Sequence, residues 1–252
     1  MAAGNNPMEQ FAIRVIHPFN AGGYDVSFTN SSLWMLIALG VIAVFLFVGT
    51  ARPQLVPGRA QAAVEYVYDF VRGMLDDNVG PEGKRFTPLI FSVFIFVLIL
   101  NLLGLIPWVG AFTPTSHVAV TLALALIVFL IVCIVGFWKH GLHFLTLFWP
   151  KGVHPVLGLF IMPIEVISFL VRPFTLAIRL FANMTAGHVL LNVFGTFVVA
   201  LGSFGALPYV FGAVPLAVNV ALTALELLIA VIQAYVFALL ASIYLNDAVN
   251  LH

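Results

Sequence analysis

Two apolar stretches near the carboxyl terminus are too long to cross a bilayer upright, and that misfit constrains the chain more than any other feature. The first runs from about Val156 to about Leu201 and would extend about 68 Å as a helix rising 1.5 Å per residue. The second, from about Tyr209 to about Leu245, would extend about 55 Å, against a hydrocarbon layer of about 30 Å. Each must lie steeply tilted or break. Pro155, Pro163 and Pro173 allow a bent start to the first helix, and Gly202, Gly205 and Pro208 supply the turn to the second. A long, inclined antiparallel hairpin is therefore expected over 156–245.

The rest of the 252 residues fits an all-α membrane protein forming one membrane domain, since 62% are hydrophobic and 8% charged, where soluble domains carry about 25% charge. A first span is expected over 33–50, behind an outer amino-terminal segment, 1–32. That segment carries Glu9, Arg14 and Asp25 before any apolar run, unlike a cleavable export signal. The stretch from Ala51 to Arg85 is too polar to cross, yet Val64, Val67, Tyr68, Val71, Met74 and Leu75 recur at helical intervals. This predicts a helix over 59–77 lying in the membrane interface or against a neighbour, with Asp76 and Asp77 as its charged end. Spans over 86–107 and 117–138, joined by an uncharged connection, predict a helical hairpin within 86–138.

Charge and cysteine usage narrow the function. Ten Lys and Arg balance ten Asp and Glu, so no basic surplus exists to bind nucleic acid. Cys133 stands alone in an apolar run, which rules out an internal disulfide and predicts a packing role. Five basic residues lie in the first connection and Lys139 and Lys151 in the third, while the amino-terminal segment has Arg14 alone and the second connection none. The positive-inside rule then puts the amino terminus outside and the carboxyl terminus inside.

Two arginines remain, Arg172 and Arg179, inside the first overlong segment. An intramembrane arginine costs about 2.5–3.5 kcal/mol on insertion scales, so a functional role is the first reading and a structural ion pair the alternative. Glu165, Arg172 and Arg179 are spaced by seven, a step that drifts only about 20° around a helix, and so form one polar stripe. Asn219, Glu226 and Gln233 repeat the spacing on the second segment, with Tyr244 about three turns further on nearly the same face. Two facing stripes in an apolar hairpin suggest a path for water or ions.

The run Arg-Leu-Phe-Ala-Asn-Met-Thr-Ala-Gly-His at 179–188, with Leu-Glu-Leu-Leu-Ile-Ala-Val-Ile-Gln-Ala-Tyr-Val-Phe at 225–237, resembles the subunit a family of F-type ATP synthases. The resemblance covers nearly the whole chain and is sharpest over 163–245. It implies a stator packed against a rotating ring of small hairpin subunits, the c-ring, each with a buried carboxylate, and a peripheral stalk of subunit b or b/b′. It implies further that Arg179 is the family's essential arginine, with Asn183 and Gln233 beside it. His188 with Glu226 exchanges the acid and histidine found in many bacterial members, as in the mitochondrial and alphaproteobacterial branch. That branch suggests a bacterial inner membrane, with the mitochondrial inner membrane as the alternative.

A guanidinium cannot release its proton, so it would act as a gate between two aqueous half-channels rather than as a carrier. Helix distances sort the other polar residues: His188, Glu226, Asn219 and Asn183 to an outer half-channel, and Glu165, Arg172 and Thr175 to an inner one. An imidazole with an ordinary pKa near 6.5 beside a carboxylate is a reasonable proton relay.

Other signals are weaker. His188 and Glu226 offer too few ligands for zinc. His140 and His143 read as solvated neighbours of Lys139 and Lys151, and Trp108, Trp138 and Trp149 as interfacial anchors. No cofactor is expected, and Gly80 to Lys84 lacks phosphate-loop spacing. A self-contained channel or transporter should show internal repeats. An intramembrane enzyme would need a nucleophile and base, and neither signature is present. The chain is thus not expected to be an enzyme on its own.

Overall fold

The computed structural model describes residues 11–21, 24–25, 27–106, 112–149, 155–202 and 208–250. Trp108, Lys151, Glu9 and Gly205 lie outside the described residues. The amino-terminal segment holds four short strands, β1 (Val15–His17), β2 (Asn20–Ala21), β3 (Tyr24–Asp25) and β4 (Phe28–Thr29). β1 pairs antiparallel with β4, and β2 with β3. Strands of two or three residues carry no readable period, and none was expected from the sequence.

Helix α1 (Asn30–Thr50) starts where the Thr29 hydroxyl accepts the Ser32 N–H. Helix α2 (Arg59–Val79) buries Val64, Val71, Met74, Leu75 and Val79 against α1 and its other neighbours. It stops at Gly80, whose φ of 77° suits a residue without Cβ, followed by a 3₁₀ turn over Pro81–Phe86. Helix α3 (Thr87–Gly104) leads through a 3₁₀ turn at Pro114–Ser116 to α4 (Val118–His140), which ends at Gly141, φ 57°, and a 3₁₀ segment, Gly141–Phe148. Five helical segments among the described residues are long and apolar enough to cross a membrane.

The last two helices are α5 (Pro155–Gly202) and α6 (Pro208–Val249), of 48 and 42 residues. Both stay helical through internal prolines, Pro163 and Pro173 in α5 and Pro215 in α6. Side-chain contacts match them in reverse order, Arg172 with Asp247, Asn183 with Gln233 and His188 with Glu226, so they run antiparallel.

Helix α6 organises the packing. Ala230, Ala234, Phe237, Ala238, Ala241, Leu245 and Ala248 are all buried, mostly at spacings of three and four. Small side chains let neighbouring backbones approach closely, which supplies dispersion contacts where lipid removes the hydrophobic drive. Here the structure corrects one expectation. Helix α3 packs mainly on α6, and α4 mainly on α5 and then α6, rather than on each other, so 86–138 is a hairpin in connectivity without a packed interface of its own. Cys133 packs at the edge of a cluster formed by Val132, Phe144, Phe169 and Leu245.

Candidate functional site

The two arginines of α5 have different surroundings. Arg172 donates from Nη1 to Asp247 Oδ2 at 2.6 Å, and its guanidinium lies 5.0 Å from the Tyr244 ring centroid and 5.4 Å from that of Phe169. Arg179 is exposed and has no hydrogen bond, ion pair or ring contact among the described residues. The alternative of a structural ion pair thus describes Arg172, and the stripe read from the spacing divides between a paired and an unpaired cation. Glu165 is half-buried and unpaired among the described residues, and the exposed Thr175 hydroxyl donates to the Arg172 carbonyl at 2.9 Å.

One turn either side of Arg179 the exposed residues of α5 are Thr175, Ala182 and Asn183, and Val171, Phe174 and Ile178 extend an exposed apolar surface beside them. Val231 and Ile232 continue this exposed apolar character on α6. One turn beyond Arg179, Asn183 Nδ2 donates to Gln233 Oε1 at 2.9 Å. Gln233 is buried, and its Nε2 has no partner among the described residues.

Further along, His188 Nδ1 lies 3.7 Å from Glu226 Oε1, and both side chains are almost fully enclosed. Glu226 is 3% exposed, yet neither carboxylate oxygen has a hydrogen bond among the described residues. Gly187 makes its place: a Cβ there would sit 2.6 Å from Glu226 Oε1 and 2.9 Å from Cδ. Asn219 Oδ1 is also buried and unpartnered.

The opposite edge of the His188 ring meets residues that the sequence reading passed over. Its Nε2 is 2.9 Å from the Thr113 hydroxyl, in the connection between α3 and α4, and Phe11 meets the ring edge-on at 6.2 Å. Thr115 donates to Asn101 Oδ1 at 3.0 Å, Asn101 Nδ2 to the Ala230 carbonyl at 3.3 Å, and Thr185 to the Ser116 carbonyl at 3.3 Å. The rule that flags intramembrane polar residues applied equally to Asn101, in the last turn of the apolar helix α3. Asp247 was missed because it lies beyond the apolar run. At the other surface His140 departs from a solvated role: it is half-buried, with Nε2 3.0 Å from the Val249 carbonyl, while His143 is exposed.

Residues 32–246 match the family described as ATP synthase A chain. Over 245 residues the chain is 54% identical to a protein of Mesorhizobium japonicum named ATP synthase subunit a, covering 97% of this chain and 96% of that one. A Rhodospirillum rubrum protein of the same name is 49% identical over 98% of this chain and 100% of its own. One from Zymomonas mobilis, again so named, is 50% identical over the full length of both. With the match extending across both long helices and the polar cluster between them, the chain belongs to the ATP synthase A chain family.

Proposed function

We propose that this chain is the stator subunit a of the proton-conducting sector of an F-type ATP synthase, and that it couples proton flow to rotation of a c-ring. The observation that carries this reading is Arg179, a permanent cation left exposed and, among the described residues, unpaired on a predominantly apolar helix. Lipid against that cation would leave its charge unsolvated at a cost of several kcal/mol. A partner presenting carboxylates, one after another, resolves the conflict. The bilayer, the c-ring and a peripheral stalk of subunit b or b/b′ are the partners this reading requires.

Each rotor carboxylate must be neutral to face lipid and is stabilised as the anion opposite Arg179, whose guanidinium cannot take the proton away. Loss and gain of the proton then occur on opposite sides of the cation. On the outer side lie Asn183, His188, Glu226 and Asn219; His188 is nine residues from Arg179, about 14 Å along the helix. Buried polar atoms in native proteins are nearly all hydrogen-bonded, so the unpartnered oxygens of Glu226 and Asn219 mark where water belongs. On the inner side lie Glu165, Arg172 and Thr175, with Glu165 about 21 Å of helix from Arg179. Neither track crosses the membrane alone, and rotation connects them.

Helices of about 72 Å and 63 Å must incline in a layer of about 30 Å, which lays the Arg179 face along the rim of a ring rather than across it. The amino terminus is outside and the chain resides in a bacterial inner membrane. Nucleotide chemistry belongs to other subunits of the complex. Arg179→Ala should abolish proton-driven ATP synthesis by vesicles carrying the intact complex; normal synthesis by that variant overturns the gate.

A further inference from the structure

We propose that Thr113 is the positioning residue for His188, holding the imidazole with Nε2 occupied and Nδ1 turned to Glu226; this rests on the proton path proposed above. The distances establish the arrangement. Thr113 Oγ1 is 2.9 Å from Nε2 on one edge of the ring, and Glu226 Oε1 is 3.7 Å from Nδ1 on the other. The His188 side chain is 12% exposed, so a ring nitrogen without a partner there would be costly.

Thr113 is itself immobilised from three directions. Its carbonyl accepts the Ser116 N–H at 3.0 Å and the Ser116 hydroxyl at 2.6 Å. The turn is tied to α3 and α6 through Thr115, Asn101 and the Ala230 carbonyl, and to α5 through Thr185. Gly104 admits the Thr113 side chain, for a Cβ at that position would collide with its hydroxyl and both of its carbons. The hydroxyl is therefore fixed relative to both helices that carry the relay.

The chemistry follows from having an acceptor at Nε2. With Nε2–H donated to Thr113, the neutral ring offers its Nδ1 lone pair to a proton arriving through water. The resulting imidazolium keeps its Nε2–H bond to Thr113 and releases the Nδ1 proton to the Glu226 carboxylate, directly after a small approach or through one water. One proton enters and one leaves at the same nitrogen, and the ring returns to the tautomer in which it began. Without the hydroxyl the ring could present either nitrogen to Glu226, and the cation would have an unpaired buried N–H.

The test is ATP synthesis and passive proton conductance in vesicles carrying the intact complex, with Thr113→Val, Thr113→Ser, His188→Ala and the Thr113→Val/His188→Ala double variant. Losing one hydrogen bond to a charged ring predicts about a tenfold fall in conductance for Thr113→Val. Thr113→Ser should conduct normally, and Thr113→Val should cost nothing further once His188 is Ala. Unimpaired Thr113→Val beside impaired His188→Ala overturns the positioning role alone. So does an additive loss in the double variant, which would mark Thr113 as merely structural. Normal conductance by His188→Ala removes the relay itself, and with it the reading on which Thr113 depends.

Discussion

Arg172 and Arg179 stand seven residues apart on one helix, carry the same charge and offered the same inference from sequence, yet the fold treats them oppositely. Arg172 is enclosed by Asp247, Tyr244 and Phe169, with its charge balanced inside the chain. Arg179 has no counter-charge among the described residues and is exposed on a predominantly apolar helix. The difference teaches that an intramembrane charge signals function less by being present than by lacking an internal counter-charge. A paired arginine holds two helices in register, whereas an unpaired one needs something from outside.

Lysine separates the two roles most sharply. It preserves charge, but its compact ammonium releases a proton readily once desolvated, which guanidinium does not. If Arg179 is the proposed gate, that leak should uncouple proton flow from synthesis. Arg179→Lys is expected to lower proton-driven ATP synthesis about a hundredfold, equivalent to about 3 kcal/mol of barrier. Arg172→Lys keeps an ion pair with Asp247 and should lose only severalfold. Equal losses in vesicle synthesis assays would break the distinction.

Much of the fold was legible because length is a hard constraint: runs that overshoot a bilayer predicted α5 and α6, and the period of Val64, Val71, Met74 and Leu75 predicted α2. What α3 and α4 pack against was not legible. Helix α4 is apolar nearly all round and gives no direction to its neighbours, while α3 carries one buried pointer, Asn101, which the fold turns to the Ala230 carbonyl of α6. In the site, the spacing and the family resemblance singled out Asn183, Gln233, His188 and Glu226, and the fold brings the first two together and the last two near each other. Asp247 could not be matched to Arg172 from sequence, since 75 residues separate them. Thr113 was hidden by its chemistry: an uncharged hydroxyl in a short connection reads as a turn until the fold sets it against a histidine.

The same contrast extends to acids. Glu226 is enclosed, with neither oxygen hydrogen-bonded and only the His188 ring beside it, whereas Asp247 is spent on Arg172. Glu226→Gln, which keeps shape and removes the exchangeable proton, should cut conductance at least about tenfold, the lower range for losing a positioned acid or base. Retained conductance would rule out the proposed carrier role of Glu226. A smaller effect is expected from Gly187→Ala, since overpacking costs about 1–3 kcal/mol and here falls on the Glu226 carboxyl. Gly195 on the same helix has nothing within 4 Å of an added Cβ. Gly195→Ala should therefore leave conductance unchanged and raise the thermal midpoint slightly, through the helix propensity of alanine. If both variants behaved alike, the fit between Gly187 and Glu226 would have no consequence for conduction.

The smallest effect belongs to Asp247→Asn. The amide keeps an oxygen that can accept from Arg172 Nη1, so the variant removes charge without emptying the contact. Both partners are about one-quarter exposed, at 25% and 26%, and an ion pair open to water contributes about 1 kcal/mol or less. The π faces of Tyr244 and Phe169 remain to hold the cation. ATP synthesis should therefore stay close to that of the native complex, with a lowered thermal midpoint as the main change. Collapse of synthesis at unchanged stability would mean that Asp247 carries protons, and the contrast between a clamped arginine and a free one would give way to two working charges.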